Sequence, residues 1–225
     1  MTTGVARPER APGAPTPLDR AMILTTAVAF VDAHGLASLN MRALARELGV
    51  GTMSLYHHVP NKDALLDGMV EVLNEEIEIP DPASGPWDER ARRMARSLRA
   101  VALAHPNCVP LLVTRPFSSA AALRPCEAAF RVLDELGLPP DEAIVTMRTF
   151  VAYVLGFVMM ESAGFLSGVG PDRDPEELLE LGLPQLAVIS SHLADRDINA
   201  DFDAGLSLVE LGLATWLAER SGSTG

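Results

Sequence analysis

Apolar residues in this chain recur at helical spacing, and no stretch alternates apolar with polar as a half-buried strand does. Over 18–34, Ile23, Ala27, Phe30 and Val31 fall at i, i+4, i+7 and i+8, and Gly35 is placed to end that helix. Asn40 is set to cap a second helix, in which Met41, Leu44, Ala45 and Leu48 form a core stripe. Gly49 stops it, Val50 and Gly51 make a tight turn, and a short third helix over 52–58 closes before Pro60. Asn61 caps a fourth helix, with Asp63 in the first turn where a carboxylate suits the helix dipole. Its predicted apolar face is Leu66, Met69, Val70, Leu73 and Ile77.

The segment 80–86 (PDPASGP) breaks the pattern and marks a domain boundary. Beyond it, helices are expected over 87–104, with five arginines on a solvated face, then 108–113, 119–136 and 141–164. An acidic loop over 167–175 (SGVGPDRDP), a helix near 184–194 and a last helix over 201–220 complete the chain. In the last, Phe202, Leu206, Val209, Leu213 and Trp216 repeat along one face. The expected architecture is all-α: a tail over 1–17, a small helical domain over 18–79, a larger one over 80–220, and a short tail over 221–225.

Composition narrows the function classes. The first 17 residues hold four prolines and two glycines and no apolar stretch of the kind a signal peptide needs. The longest uncharged apolar run, 150–160, is shorter than the roughly 20 residues that span a bilayer. Cys108 and Cys126 match neither a disulfide framework nor a zinc-site spacing. A soluble cytoplasmic protein without membrane contact is expected. No Gly-rich phosphate loop, Gly-x-Ser-x-Gly elbow or paired metal-ligand motif is present, so neither an enzyme nor a cofactor or metal site is expected. The net charge of −12 argues against nucleic acid until the chain is divided. Residues 1–67 carry six basic and six acidic side chains; residues 68–225 carry twelve and twenty-four. The acidity lies in the larger domain, and phosphate affinity depends on local charge.

Residues 41–58 (MRALARELGVGTMSLYHH) place two short helices across a Gly-Val-Gly turn, the arrangement in which a second helix enters the DNA major groove. Ala45 is small where the helices cross, and Leu55 and Val59 face the core. That leaves Thr52, Met53, Ser54, His57 and His58 outward, able to touch base edges, thymine methyls or phosphates.

Gly35, the Met41-Arg42-Ala43-Leu44-Ala45 run, Leu48-Gly49-Val50, Leu55-Tyr56-x-His58 and Asn61-Lys62-x-x-Leu65-Leu66 together resemble the DNA-binding domain of the tetracycline-repressor (TetR) family. The resemblance implies that Arg42 contacts phosphate or a base, that Thr52, Met53 and Ser54 read bases, and that Tyr56 and His58 grip the backbone with His57 beside it. Lys62, the chain's single lysine, would bind phosphate. Tyr56 also reads as a packing residue with its hydroxyl outward.

The segment VPLLVTRPFSS (109–119) is similar, more weakly, to the family's inducer-pocket segment, and 141–164 to its dimerisation helix. A homodimer is expected through 141–164 and 201–219, because the apolar run 150–160 needs cover on both faces and Gly205 and Gly212 allow close approach. It would present two recognition helices to a palindromic operator on double-stranded DNA. His105, Thr114, Arg115, Phe117, Met147, Phe150, Met159 and Glu161 are candidates to line a pocket for a small-molecule inducer; their apolar members also read as ordinary core. Where the tetracycline repressors carry magnesium-binding histidines, this chain has Leu111 and, near the end of the fourth helix, Ile77. The implied ligand is therefore apolar rather than a metal chelate. A redox response through Cys108 or Cys126 is the alternative mode of regulation.

Overall fold

A computed structural model describes residues 18–115, 119–167, 174–193 and 196–222, and the tail expected over 1–17 lies outside them. The first helices form as the caps predict. Asp19 precedes α1 (Arg20–His34), Asn40 precedes α2 (Met41–Glu47) and Asn61 precedes α4 (Lys62–Glu75). Each side chain accepts from a backbone N–H of the first turn, at 2.8–2.9 Å. Between them lies α3 (Thr52–His58). Gly49 turns the chain from α2 to α3 at φ 67°, a conformation costly for a side chain with a Cβ. Val50 N–H closes the turn on Ala45 O at 2.9 Å.

Ile23, Ala27, Val31, Leu44, Leu55, Val59, Met69 and Leu73 interdigitate in one buried cluster. In the first turn of α4 it is Leu65, rather than Leu66, that is fully buried; it shares a face with Met69 and Leu73 at i+4 and i+8, while Leu66 packs at the cluster's edge. The same cluster takes in Val101, Cys108, Leu111 and Ala122, so the core does not stop at the 80–86 loop.

The larger part comprises α5 (Trp87–Ala104), α6 (Val109–Thr114), α7 (Ala120–Glu135), α8 (Pro140–Ser162), α9 (Pro175–Glu180), α10 (Pro184–Leu193) and α11 (Ile198–Gly222). Helix α5 packs on α7 and α8, α8 on α11, and α7 back on α4. The arginines of α5 are only in part the solvated face expected: Arg93 and Arg96 stay substantially exposed, yet all five are paired. Arg90 pairs with Glu135 of α7, Arg92 with Glu210 and Arg96 with Asp203 of α11, and Arg99 with Glu161 of α8. Arg93 reaches Glu78. Their partners lie 15 to 118 residues away in sequence, where periodicity within one helix carries no information.

Helix α9 was not anticipated. Only six residues long, it is too short to show a period, yet Asp174 caps it and Pro175 opens it. It packs on α10, and the pair turns Leu179, Leu181, Val188 and Ile189 outward. The expected loop over 167–175 falls mostly outside the described residues. Helix α8 extends well beyond the 150–160 run. It is the one described helix long and apolar enough, by length and composition, to cross a membrane. Val154, Leu155, Phe157 and Val158 are buried against neighbouring helices, while Val151, Met159 and Met160 stay exposed. Gly205 serves contact within the chain: a Cβ there would meet the ring of Tyr153, whose hydroxyl donates to Phe202 O at 2.7 Å. Around Gly212 the space is open.

Gly68 sets how closely α4 approaches α1. A Cβ at this position would lie 2.8 Å from Leu24 Cδ1 and nearer still to Cδ2, and Leu24 is buried and cannot swing away. Gly68→Ala should lower unfolding stability by about 1–3 kcal/mol, as overpacking does. A urea titration checks this, and most of the loss should disappear in a Leu24→Ala background, where the methyl finds room.

Candidate nucleic-acid interface and effector cavity

Helix α3 is held by one buried anchor, Leu55, with Val59 behind it. The rest of the helix faces away from the core. Ser54, His57 and His58 are exposed, Thr52 is half-buried, Tyr56 is 42% exposed and Met53 71%. A methionine so exposed at the start of a seven-residue helix has no packing role within the chain, and a thymine methyl is a surface it would cover well. Arg42 of α2 and Lys62 of α4 flank this face, both exposed, and neither has a carboxylate at ion-pair distance among the described residues. The contrast with α5, where all five arginines are paired, is informative. Cations held by their own protein have little to offer a phosphate, whereas these two remain available.

The larger part holds, between its helices, a partly open apolar cavity of about 150 Å³. Its walls come from α5 (Trp87, Met94, Leu98), α7 (Pro125, Cys126, Leu133) and α8 (Met147, Phe150, Val154), and α4 contributes Asn74 with Ile77 just beyond it. Of the pocket candidates read from sequence, Met147 and Phe150 line this cavity. The other described candidates stand elsewhere. Thr114 donates to Pro110 O one turn back, at 2.7 Å. Met159 lies on the outer face of α8, 59% exposed. Glu161 accepts both Nε and Nη2 of Arg99, at 2.9 and 2.7 Å, and the same guanidinium stacks 4.9 Å from the Phe202 ring. Phe117 lies outside the described residues.

The α5 and α7 lining went unrecognised because both helices read as ordinary amphipathic elements. The usable signal was Pro125, inside a helix where it removes a backbone hydrogen bond.

His105 and Arg115 belong to the joint between the two parts. Arg115 donates from Nε to Asp67 at 2.7 Å and from Nη2 to Asp63 at 3.2 Å, clamping the first turns of α4 to the end of α6. His105 places Nδ1 2.7 Å from Asp32 of α1 and Nε2 3.2 Å from Glu76 after α4. Burial pulls its pKa down, but the hydrogen bonds and charges of Asp32, then Glu76, outweigh this and hold it above the usual imidazole value. Cys108 sits beneath the same joint, fully buried. Burial, reinforced by Asp32, pushes its thiol up to about 12, so it carries almost no thiolate at neutral pH. Burial also raises Cys126. Neither environment activates a thiol for a redox response. Leu111 and Ile77 offer no lone pair to a metal, and among the described residues no three His, Cys, Asp or Glu side chains cluster as ligands.

Residues 23–69 match the family described as bacterial regulatory proteins, tetR family, and residues 79–217 match the tetracyclin repressor-like C-terminal domain. The chain is 36% identical over 151 residues to the HTH-type transcriptional repressor DrrR1 of Streptomyces coeruleorubidus, covering 67% of this chain and 55% of that protein. It therefore spans little more than half the length of that relative. It is 30% identical over 203 residues to the class A tetracycline repressor of transposon 1721 from Escherichia coli, covering 88% of this chain and 92% of that one. Apo ActR of Streptomyces coelicolor superposes with a TM-score of 0.75 at 28% identity, over 92% of this chain and all of ActR. ActR in complex with actinorhodin superposes with a TM-score of 0.72 at 28% identity, over 90% of this chain and 99% of ActR.

The His105 joint has a testable pH signature. A raised folded-state pKa contributes stability that is complete below the unfolded imidazole value, near 6.5, and is lost as pH rises through the higher folded value. Urea midpoints measured between pH 6 and pH 9 should therefore show wild type losing its advantage over His105→Gln as pH rises. A pH-independent difference between the two proteins would contradict the assignment.

Proposed function

Since the chain belongs to the TetR family of bacterial regulators, we propose that it represses transcription by binding a palindromic operator as a homodimer and leaves the DNA when a small, largely apolar ligand occupies its cavity. The observation that carries this reading is the course of α4. The helix begins at Lys62, beside the face of α3, and its last turn brings Asn74 into the cavity wall. Twelve residues at 1.5 Å each separate the two ends by about 18 Å. A displacement at the cavity end is thus delivered to the DNA end by a rigid rod. Helix α6 offers a second link, since Leu112 lines the cavity and Arg115, one turn on, grips Asp63 and Asp67. A ligand shifts the equilibrium only if it fits one α4 position better than the other.

Within this reading, Thr52, Met53 and Ser54 read base edges. Arg42, Tyr56, His57, His58 and Lys62 hold the phosphate backbone. Helices α8 and α11 supply the dimer contact. On these two helices Ile144, Val145, Val151, Leu208 and Leu211 remain uncovered in the single chain, the last two by 72% and 64%, which supports a partner packed there. A two-fold pair sets two α3 helices about one DNA turn apart. The ligand-bound ActR complexes support a small-molecule effector, and the relatives' regulatory role argues against catalysis. The protein would act in the cytoplasm, on chromosomal DNA.

Selection of genomic fragments by the purified protein, in moderate salt, tests the reading. Enrichment of a short two-fold-symmetric site is expected, whereas weak binding indifferent to sequence would reject it. On that site, Lys62→Ala should weaken binding for all sequences alike and make the log–log salt slope shallower by about one. Met53→Ala should leave the slope unchanged and relax preference at one base pair. Fluorescence anisotropy over a salt series separates the two effects.

A further inference from the structure

The cavity wall contains no Asp, Glu, Lys, Arg or His, and one of its polar side chains stands out. Asn74 is 5% exposed and sits in the last turn of α4, among Val70, Leu73 and Ile77, at a position where an aliphatic residue would complete the apolar face. Its Nδ2 donates to Val70 O at 2.8 Å, which fixes which way the amide faces. Among the described residues nothing donates to its Oδ1. Nor is that oxygen sealed in by protein, since the one fully enclosed side-chain polar atom without a partner is Arg90 Nε. An amide oxygen set in an apolar wall, open to the cavity and without a donor from the chain, is placed to take one from a ligand, and a ligand that covers it without donating leaves it unpaired.

We infer that Asn74 Oδ1 is the hydrogen-bond acceptor for the effector, and that the effector is a neutral, largely apolar molecule bearing a hydroxyl or N–H donor. This rests on the reading of the cavity as the effector site. The wall explains the neutrality: no side chain there offers a counter-charge, so an ionised ligand would lose its hydration for nothing. The acceptor explains the donor. A site built around a buried acceptor rejects an analogue that cannot donate to it, because the oxygen is then desolvated and unpaired. The position adds a function to the bond. Asn74 lies on the same helix as Lys62, so the polar anchor of the ligand bears directly on the helix that reaches the DNA.

Isothermal titration of the full-length protein with three probes sharing one bicyclic ring tests this. The probes are 1-naphthol, 1-methoxynaphthalene and 1-naphthoate. Naphthol should bind about tenfold more tightly than the methyl ether, which has the same ring and no donor. The anion should bind more weakly still. In Asn74→Leu the preference for naphthol over the ether should vanish while the ether binds at least as well; Asn74→Ala serves if leucine disturbs folding. Equal affinity of the wild type for naphthol and the ether, or a preference that survives in the variants, would overturn the role of Asn74 and leave the cavity reading intact. Tight binding of the anion would overturn the neutrality of the ligand. Binding of none of the three would overturn this inference and count against the cavity as effector site as well.

Discussion

The shared packing of α4 is the constraint on which the rest of the molecule depends. One face of the helix, Leu65, Met69 and Leu73, closes the core of the small domain, and its last turn enters the wall of the cavity. Gly68 lets it approach α1 closely enough for Arg20 to reach Glu71. Arg115 ties its start to α6, and His105 bridges its far end to α1. Held at both ends and packed along its length, the helix cannot adjust locally. Close-packed interfaces of this kind pass from one arrangement to another rather than deform smoothly, which is what a two-state regulator needs.

The arginines of α5 organise the larger domain in a different way. Each reaches a carboxylate that another segment supplies, so α5 is pinned to α7, α8 and α11 by directional contacts in addition to apolar packing. Burial pushes the Glu210 carboxyl up, and Arg92 only partly offsets this. Pairs so placed specify which helix lies beside which more than they add to stability, because desolvation cancels much of their attraction. Glu210 and Glu161 are the largely buried carboxylates among these pairs, whereas Arg42 and Lys62, beside α3, have no carboxylate at ion-pair distance among the described residues.

The cavity sits where these two systems meet. Its walls come from α4, which is packed into the core of the small domain, from Leu112 of α6, and from α5, α7 and α8, which the ion pairs tie together. In the proposed mechanism a ligand there bears on α4 against the ion-paired helices. Among the uncovered apolar residues, those of α11 take no part in the cavity lining, whereas Val151 of α8 belongs both to the uncovered face and to the cavity wall.

Much of this was determined by the sequence alone. The helices of the reader, the caps at Asn40 and Asn61, the turn at Gly49 and the outward set on α3 follow from contacts within a few residues, and local spacing specifies local contacts. The family resemblance implies roles for Arg42, Tyr56 and Lys62 because its motif is equally local. Only the tertiary structure decided the rest. It brought Asp32 and Glu76 to His105, and Asp67 to Arg115, turning two expected pocket residues into parts of a joint. It paired the α5 arginines across up to 118 residues, and it assembled the cavity from five helices, of whose lining residues only Met147 and Phe150 are pocket candidates by sequence. A periodic pattern states which face of a helix is buried. It does not state what that face is buried against, and the roles of His105, Asn74 and Arg99 depend on that second fact.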